Sequence, residues 1–221
     1  MLSRNIYPII FLLIIVTITV IFYSPEKNKD LIILIKEVVS VITLIIGFFL
    51  FWRGSDQYEK EQKWKRSEFA AREIKEFRSD PTVQKVMMML DWDIRDIQLS
   101  KDVKFGLDEN IDSELCKSLR VTREGNFTDR QALIRDSFDI FFDYLGRFEV
   151  SIESRLLDKS DFEPYLKYWL NIIGNKNSNK KSPEFYRHIW EYIEYFDYKN
   201  VQSFMARYKY DIKPNSLMHK D

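Results

Sequence analysis

Glycine, histidine and cysteine are scarce in this sequence. Its 221 residues include six Gly, two His and one Cys. No two glycines have the spacing of a GxGxxG motif or of a P-loop, so these common phosphate-binding loops are excluded. The single Cys116 cannot form an internal disulfide, and two histidines beside it are too few for a usual Cys/His zinc site. Disulfide-stabilised secreted scaffolds and zinc modules are therefore excluded as well.

An excess of charge of either sign is also absent. The chain has 34 Lys+Arg and 34 Asp+Glu. Without the four basic and three acidic residues of positions 1–52, the rest of the chain carries 30 basic and 31 acidic residues. A domain that binds nucleic acid normally has a strong excess of Lys and Arg. We therefore expect no direct contact with nucleic acid.

The apolar residues are concentrated in two runs near the start of the chain. The first run, residues 6–23, has 18 residues without a charge, and the second covers residues 31–52. A helix of about 20 apolar residues can cross the hydrocarbon core of a bilayer. The first run is longer than the apolar part of a usual signal peptide, and no small-x-small cleavage site follows it. With a charged turn at residues 24–30, the two runs predict a transmembrane helical hairpin over residues 1–52.

Basic residues beside the two runs predict the orientation of this hairpin. Arg4 precedes the first run, and a basic cluster between Arg53 and Arg66 follows the second, whereas the turn has only Lys27 and Lys29. Cytoplasmic loops of membrane proteins carry the excess of Lys and Arg. We therefore expect a multi-pass protein of the bacterial inner membrane, with its N-terminus and its C-terminal body in the cytoplasm. The low cysteine content agrees with a reducing compartment.

One face of the second run collects its polar and small residues. Lys36, Ser40, Thr43 and Gly47 recur at intervals of four, three and four, which places them on one side of a helix. Small and hydroxylated residues allow membrane helices to approach closely and to hydrogen-bond. These four residues, here called the membrane stripe, predict a helix-packing or pore face. Three uses stay open: packing of the hairpin against itself, homo-oligomerisation, and a water-lined path.

Residues 53–99 continue with helical periodicity. No Gly or Pro occurs from Gln57 to Ser79, so the second membrane helix is expected to run on into an aqueous stalk. Asp80 and Pro81 then supply an N-cap and a first-turn proline for another helix. We predict that the stalk and this helix pack as an antiparallel hairpin. The apolar positions of the two helices are Trp64, Ala71, Ile74 and Phe77, and Val83, Met87, Leu90, Ile94 and Ile97.

Residues 100–221 are expected to form a helical cytoplasmic domain. The stretch 100–127 has few apolar residues, and at most one short helix is expected in it, near residues 112–119. No segment of the body alternates with a period of two beside turn residues. The sequence therefore predicts no strand and an all-α fold.

Helix boundaries in this domain are predicted from local signals. Capping-box patterns at residues 128–131 and 160–163 indicate the starts of two long helices. Gly174 is a typical C-terminal stop. Ser182, followed by a proline, indicates the start of the last strong helix. We expect that helix to break near Asn200 and to resume over residues 201–210.

The last two helices contain more aromatic residues than one helical face can bury. Tyr186, Trp190, Tyr192 and Tyr195 are the strongest candidates for a surface that binds a protein partner. Tyr and Trp are enriched in protein interfaces because they combine rigid apolar area with a polar tip. The alternative is that these rings belong to an ordinary, partly exposed core.

Signals for chemistry are weak. Glu184, His188 and Glu191 lie at i, i+4 and i+7, but the Glu-x-x-His pair of carboxylate-bridged metal sites is absent. We interpret the three residues as a surface face of the helix. Cys116 has no plausible base nearby in the sequence, which favours an inert thiol. We expect no enzymatic activity, no cofactor and no metal.

The region after the second run resembles a group of small bacterial membrane proteins. The resemblance rests on residues 63–77 (KWKRSEFAAREIKEF), 79–81 (SDP) and 89–92 (MLDW), together with the N-terminal hairpin and the helical body. Some proteins of this plan are toxic effectors, and the architecture is similar to the two-transmembrane effectors encoded beside retron reverse transcriptases. The resemblance implies anti-phage defence by abortive infection, in which a reverse transcriptase complex restrains the effector until infection releases it.

Three hypotheses for function follow. The leading one is a non-enzymatic inner-membrane effector whose helical body receives a protein signal and passes it through the stalk to the hairpin, which then alters membrane permeability. The alternative is a constitutive scaffold that tethers a cytoplasmic protein to the membrane. A third, an enzyme with a site built from scattered carboxylates, requires a conserved polar pocket in the body.

Overall fold

The structure is mostly helical, as the sequence predicts. The computed structural model describes residues 29–107, 109–121 and 126–214, and 73% of these residues lie in helices. The chain divides into two units, residues 1–63 and residues 64–221. The elements in chain order are α1 (Lys29–Ser79), α2 (Pro81–Asp91), β1 (Ile97–Gln98), β2 (Lys104–Phe105), α3 (Ile111–Ser118), α4 (Asp129–Glu153), α5 (Lys159–Gly174), α6 (Pro183–Tyr195) and α7 (Lys199–Arg207).

Helix α1 is 51 residues long and contains the second predicted span. Within Ile35–Ser79 it includes an 18-residue window with a mean hydropathy of 2.0 and no buried residue. In the described part of the chain it is the one helix that could cross a membrane by length and composition. Its continuity agrees with a span that runs on into a stalk. The first predicted span, residues 6–23, lies outside the described residues, so the hairpin stays a prediction.

One face of the last turns of α1 belongs to the core of the second unit. Ala70, Ile74 and Phe77, at i, i+4 and i+7, are at most 4% exposed. The predicted stripe is wrong at two positions, because Trp64 and Ala71 are exposed. Which face of a stalk is buried depends on the surface that it meets, and the periodicity of the stalk alone does not specify that surface. The ring of Phe77 lies 5.5–5.6 Å from the rings of Phe141, Tyr144 and Phe148.

Helix α2 begins where the sequence predicts, but it packs against α4 and α5 and not against the stalk. The Asp80 carboxylate accepts hydrogen bonds from the backbone N–H groups of Thr82 and Val83, at 2.7 and 3.3 Å, and Pro81 occupies the first turn. Its main neighbours are α4 and α5. The predicted antiparallel pairing with the stalk is wrong. Only Asp80 separates α1 from α2, whereas antiparallel helix pairs need loops of about 2–5 residues.

A short β-hairpin follows α2 and corrects the prediction that the body has no strand. Ile97 pairs with Phe105 and Gln98 with Lys104 in an antiparallel ladder. Ile97 and Phe105 are buried, whereas Ile94, which was expected to continue the helical pattern, is 56% exposed. Strands of two residues are too short to show a period of two in a sequence. The strands are stabilised by the burial of Ile97 and Phe105 against the body.

Helix α4 is the central element of the second unit and packs against α2, α3 and α7. Its predicted capping box is confirmed: the Gln131 N–H donates to the Thr128 hydroxyl, and the Thr128 N–H donates to the Gln131 side chain, both at 3.3 Å. Its apolar face is largely aromatic. The rings buried along it are those of Phe138, Phe141, Phe142, Tyr144 and Phe148.

The shorter helices agree with the local signals to within a few residues. Helix α3 confirms the short helix predicted near residues 112–119. Helix α5 begins earlier than the predicted cap at Ser160, because Asp158 is the N-cap residue and its N–H donates to the Asp161 carboxylate at 2.8 Å. Ser182 caps α6 as predicted. Between α6 and α7 the backbone turns at Asp197, whose φ is +58°, so the break comes slightly before Asn200.

Gly174 ends α5 as predicted, and tertiary packing gives a second reason for glycine there. A Cβ atom at this position would lie 2.5–2.6 Å from side-chain atoms of Tyr210 and Met205. These distances are well inside van der Waals contact. The segment after α7 therefore packs directly on the backbone at the end of α5.

Candidate functional site

The membrane stripe lies on an exposed face of α1. Lys36, Ser40, Thr43 and Gly47 are all exposed. The Ser40 hydroxyl donates to the Lys36 carbonyl and the Thr43 hydroxyl to the Val39 carbonyl, both at 2.8 Å. A Cβ atom at Gly47 would meet nothing within 4 Å. The two hydroxyl donors are satisfied within the helix, so the role of the stripe in helix packing or pore formation stays a prediction.

Most of the aromatic residues predicted to bind a partner belong to the core. Tyr186, Trp190 and Tyr192 are at most 1% exposed, whereas Tyr195 is 52% exposed. This corrects the prediction for the first three, because buried rings present no surface to a partner. Their polar atoms are satisfied internally: Tyr186 with the Ser178 hydroxyl at 2.8 Å, Trp190 with the Ile173 carbonyl at 2.9 Å, and Tyr192 with Asp139 at 2.6 Å.

The structure brings together residues that the sequence presents as separate weak signals. Cys116 on α3 and Glu184, His188 and Glu191 on α6 line one cavity of about 610 Å³. Asp112, one turn before Cys116 on α3, also lines it. The cavity is here called the α3–α6 cleft. The sequence alone does not reveal this cavity.

Two capping residues place the starts of α3 and α6 beside each other. The Asn110 side chain accepts from the Ser113 N–H at 2.9 Å, and the Ser182 hydroxyl accepts from the Phe185 N–H at 3.2 Å. The Ser182 N–H donates to Asp112 Oδ2 at 3.1 Å. The capped N-terminus of α6 is therefore anchored to the first turn of α3.

The opposite end of the cleft is formed where α3 ends. Arg120 and Val121 follow α3 and line the cavity there. Arg135 of α4 donates to the carbonyls of Ser118 and Arg120, at 2.8 and 3.1 Å, and its guanidinium lies 4.8 Å from the ring centre of Tyr192 on α6. The ends of α3 and α6 thus lie near the same arginine, and the two helices run side by side in the same direction.

The Cys116 thiol is buried in this cleft and poorly suited to nucleophilic chemistry. Burial raises its pKa to about 11, the negative charge of Asp112 adds to the rise, and a hydrogen bond with Ser182 opposes it. Since the thiolate is the reactive form of cysteine, the side chain is almost entirely in its unreactive form at neutral pH.

The surroundings of the His188 imidazole lower its pKa. Burial lowers its pKa, and the adjacent charge of Arg187 lowers it further, whereas Glu191 and Glu184 oppose the shift. The Arg187 guanidinium lies 3.3 Å from His188 Nε2. Two carboxylates also face the ring, with Glu184 Oε1 3.6 Å from Nε2 and Glu191 Oε2 3.9 Å from Nδ1.

Three buried polar atoms have no hydrogen-bond partner among the described residues, and all three belong to residues that line the α3–α6 cleft. They are Asp112 Oδ1, Arg120 Nε and His188 Nδ1. The described residues contain no group of three or more His, Cys, Asp or Glu that could hold a metal ion. Sequence reasoning missed Asp112 and Arg120. The available signal was their spacing of four residues on either side of Cys116.

A second cavity, of about 710 Å³, lies along α4 and is less distinctive. Its charged lining includes Arg147, which is paired with Glu73 at 3.1 Å, and it contains none of the three unpartnered atoms. Gly146 and Asn200 also line it. The α3–α6 cleft is therefore the stronger candidate site.

Comparison with known proteins adds no relative. No protein-family model matches the chain, and no curated protein or solved structure matches it.

Proposed function

We propose that this protein is a non-enzymatic effector of the bacterial inner membrane. A hairpin formed by residues 6–23 and 31–52 anchors it, with the N-terminus and the C-terminal body in the cytoplasm. The body receives a signal from a protein partner, α1 passes it to the hairpin, and the membrane becomes permeable. The resemblance to retron effectors supports a role in abortive infection, with a reverse transcriptase complex as the restraining partner.

The observation that carries this proposal is the continuity of α1. The helix includes the apolar window, none of whose residues is buried. The last turns of the same helix include Phe77, which is fully buried among the rings of α4. A large exposed apolar surface in a soluble protein is unfavourable, and insertion into a bilayer removes it from water. Because α1 runs from one unit into the other, it is the element proposed to carry a displacement of the body.

The membrane stripe is the proposed output element. Gly47 offers the close approach that membrane helices use for association, and the exposed side of α1 is free to meet a second helix of the hairpin or a second copy of the chain. The charge of Lys36 near one end of the span is costly in lipid unless it reaches the interface or a water-filled path.

Expression in bacterial cells with a membrane-potential dye tests the proposal. Full-length protein is expected to depolarise the membrane, and Gly47→Leu or Lys36→Leu is expected to reduce the depolarisation at equal protein levels. Ile45→Ala is the matched control, because Ile45 lies about 200° around the helix from Gly47. It is expected to leave depolarisation unchanged.

Two results would overturn the proposal in different ways. If both stripe variants depolarise like the unchanged protein, the stripe is not the active element. If the full-length protein never depolarises the membrane yet recruits a cytoplasmic protein to it, the constitutive scaffold is the correct function.

A further inference from the structure

The last turns of α1 contact the body in two different ways along their length. Near the end of the helix the contact is apolar: Phe77 is fully buried, and Ile74 and Ala70, one and two turns earlier, are also buried. Phe77 lies among three aromatic rings of α4, whereas Ala70 buries only a methyl group. Because apolar stabilisation grows with the area removed from water, it declines from Phe77 towards the start of this segment.

The second cavity, of about 710 Å³, lies beside the same part of α1. Phe69 and Glu73 line it from α1, and Gly146 and Arg147 line it from α4. Asn200, at the start of α7, lines it as well. Protein interiors are normally close-packed, so this open space leaves the side of α1 that carries Phe69 and Glu73 without dense packing against the body. Apolar contact therefore holds this part of the helix only weakly.

Charged side chains hold this weakly packed segment to the body. The Arg147 guanidinium of α4 donates to Glu73 at 3.1 Å and to Glu76 at 3.2 Å. Arg66, two turns before Glu73, forms an ion pair with Asp158 at the start of α5. These five residues are here called the ionic latch. All of them except Glu73 have side chains that are at least 41% exposed, so each pair by itself contributes little stability.

Glu73 makes the ionic latch depend on Arg147. The Glu73 side chain is 12% exposed. Burial of a carboxylate is unfavourable unless the charge is paired. The docked helix therefore tolerates Glu73 only while Arg147 lies beside it, and a tilt of α1 away from α4 would return Glu73 to water.

A hinge for such a tilt lies directly after α1. Asp80 is the single residue between α1 and α2, and its φ and ψ of −67° and 119° are extended rather than helical. Residues at the ends of helices commonly act as hinges, because they can absorb a change in φ and ψ. The Tyr144 hydroxyl donates to the Asp80 carboxylate at 3.3 Å, and this bond and the burial of Phe77 hold that end of α1 on α4.

We propose that α1 alternates between a docked position, which the ionic latch holds, and a released position, with Phe77 and Asp80 as the pivot. In the released position Ala70 and Glu73 are exposed to water. The regulatory role of this movement rests on the proposed function: the docked position is the resting state, and a protein partner that engages Arg147 through the adjacent cavity releases the helix.

Alkylation of an introduced thiol in the full-length protein, purified in detergent, measures the release. Ala70→Cys places a thiol on the docked face of α1, and the native, buried Cys116 of α3 is an internal reference for unfolding of the whole body. Ala71→Cys, at an exposed position, gives the rate of a freely accessible thiol. With the ionic latch intact, the thiol at position 70 is expected to react with iodoacetamide at least about tenfold more slowly than the thiol at position 71.

Variants of the ionic latch are expected to remove part of this protection. Arg147→Gln, which leaves Glu73 unpaired, and Arg66→Gln should each raise the alkylation rate at position 70 by roughly two- to fivefold. An increase in NaCl from about 0.05 M to about 0.5 M should act in the same direction, because the Debye length falls from about 14 Å to about 4 Å. Lys75→Gln is the matched control, since it removes a positive charge from an exposed position of the same helix outside the ionic latch. It should leave the rate unchanged.

The alkylation rates decide whether the ionic latch exists. Unchanged rates at position 70 in Arg147→Gln and Arg66→Gln would overturn it, and so would an equal acceleration at Cys116, which would indicate unfolding of the whole body. If Arg147→Gln does not fold, as judged by circular dichroism, the exposed Arg66→Gln carries the test.

Depolarisation of bacterial membranes decides whether the release is the signal. A latch variant with accelerated alkylation should depolarise the membrane at a lower protein level than the unchanged protein does. Equal depolarisation by both proteins would overturn the regulatory role of the release. Accelerated alkylation without depolarisation by any protein would instead overturn the proposed effector function and support the ionic latch alone.

Discussion

The Arg207 guanidinium, in the last turn of α7, donates three hydrogen bonds to the carboxylate of Glu149 on α4, with N···O distances of 2.7–2.9 Å. The Glu149 side chain is 1% exposed, and that of Arg207 is 37% exposed. A buried carboxylate is tolerated only when it is paired in this manner. This contact therefore joins the last helix of the body to its central helix.

We expect Arg207→Gln to destabilise the body. Loss of the cation leaves Glu149 buried without a charged partner, which should lower the free energy of unfolding by about 2–4 kcal/mol, somewhat less than for a fully enclosed pair. Denaturant unfolding of the full-length protein in detergent, followed by tryptophan fluorescence, measures this change.

The exposed pair Lys167–Glu163, with an N···O distance of 3.8 Å, provides the control. Lys167→Gln should change the free energy of unfolding by less than about 0.5 kcal/mol. The double variant Glu149→Leu, Arg207→Met should recover most of the stability, since it removes both charges. Equal losses for Arg207→Gln and Lys167→Gln would contradict this account of the buried pair.

Gly174→Ala is expected to destabilise the protein because its Cβ would lie 2.5–2.6 Å from Tyr210 and Met205. Overpacking of this kind costs about 1–3 kcal/mol. Gly146→Ala is the matched control: its Cβ would lie 3.6 Å from the nearest atom, and alanine is the better helix former by about 1 kcal/mol. In thermal unfolding, Gly174→Ala should have a lower midpoint than the unchanged protein, and Gly146→Ala should have a higher one. Similar midpoints for both variants would show that the end of α5 adjusts to the added atom.

Alkaline pH is expected to destabilise the body through the buried Tyr192 and the partly buried Tyr198. Burial is the largest cause that raises the pKa values of Tyr192 and Tyr198 well above the ordinary value of 10.0. Their hydrogen bonds to Asp139 and its negative charge raise them further. The unfolded tyrosines ionise near pH 10 while the native ones keep their protons, so the free energy of unfolding should be constant below that pH and fall above it.

Tyr198→Phe removes one of these groups, and the decline above pH 10 should become shallower. Tyr195→Phe, at a half-exposed ring, is the matched control and should leave the slope unchanged. The measurement is denaturant unfolding at pH 8 to 11. An identical slope in all three proteins would show that other groups cause the alkaline loss.

Cys116 should react slowly with iodoacetamide in the native protein. With a pKa raised to about 11, roughly one thiol in a thousand is ionised at pH 8. Asp112→Asn removes a negative charge that raises this pKa, so the alkylation rate at pH 8 should increase, whereas Asp102→Asn should leave it unchanged. Mass spectrometry of timed samples measures the rates. Alkylation of the native protein as fast as in denaturant would contradict the buried, protonated thiol.

Helix starts were predictable because their signals are local. The capping box of Thr128 and Gln131 and the N-caps Asp80 and Ser182 act within three residues, and each is observed. The start of α5 shows the limit of such signals. The sequence offers two capping boxes close together, at residues 160–163 and at Asp158 and Asp161. The helix begins at the second of these.

The candidate site was not predictable from these local signals. Cys116 and His188 are 72 positions apart in the chain, and their helices are joined by contacts such as the hydrogen bond from the Ser182 N–H to Asp112. In the same way, periodicity marks Tyr192 and Tyr195 as aromatic positions of one helix but does not show which of them meets the core.

The sequence by itself determined the helical character of the body, most helix boundaries, the exclusion of common nucleotide, disulfide and zinc sites, and the presence of a long apolar segment. These features depend on composition and on interactions between residues a few positions apart. Only the tertiary structure decided which aromatic rings are buried, that two short strands pair, that Glu149 is enclosed with Arg207, and that a polar cleft forms between α3 and α6. Each of these depends on which distant surfaces meet, and the free energy of that meeting comes from burial and pairing between segments far apart in the chain.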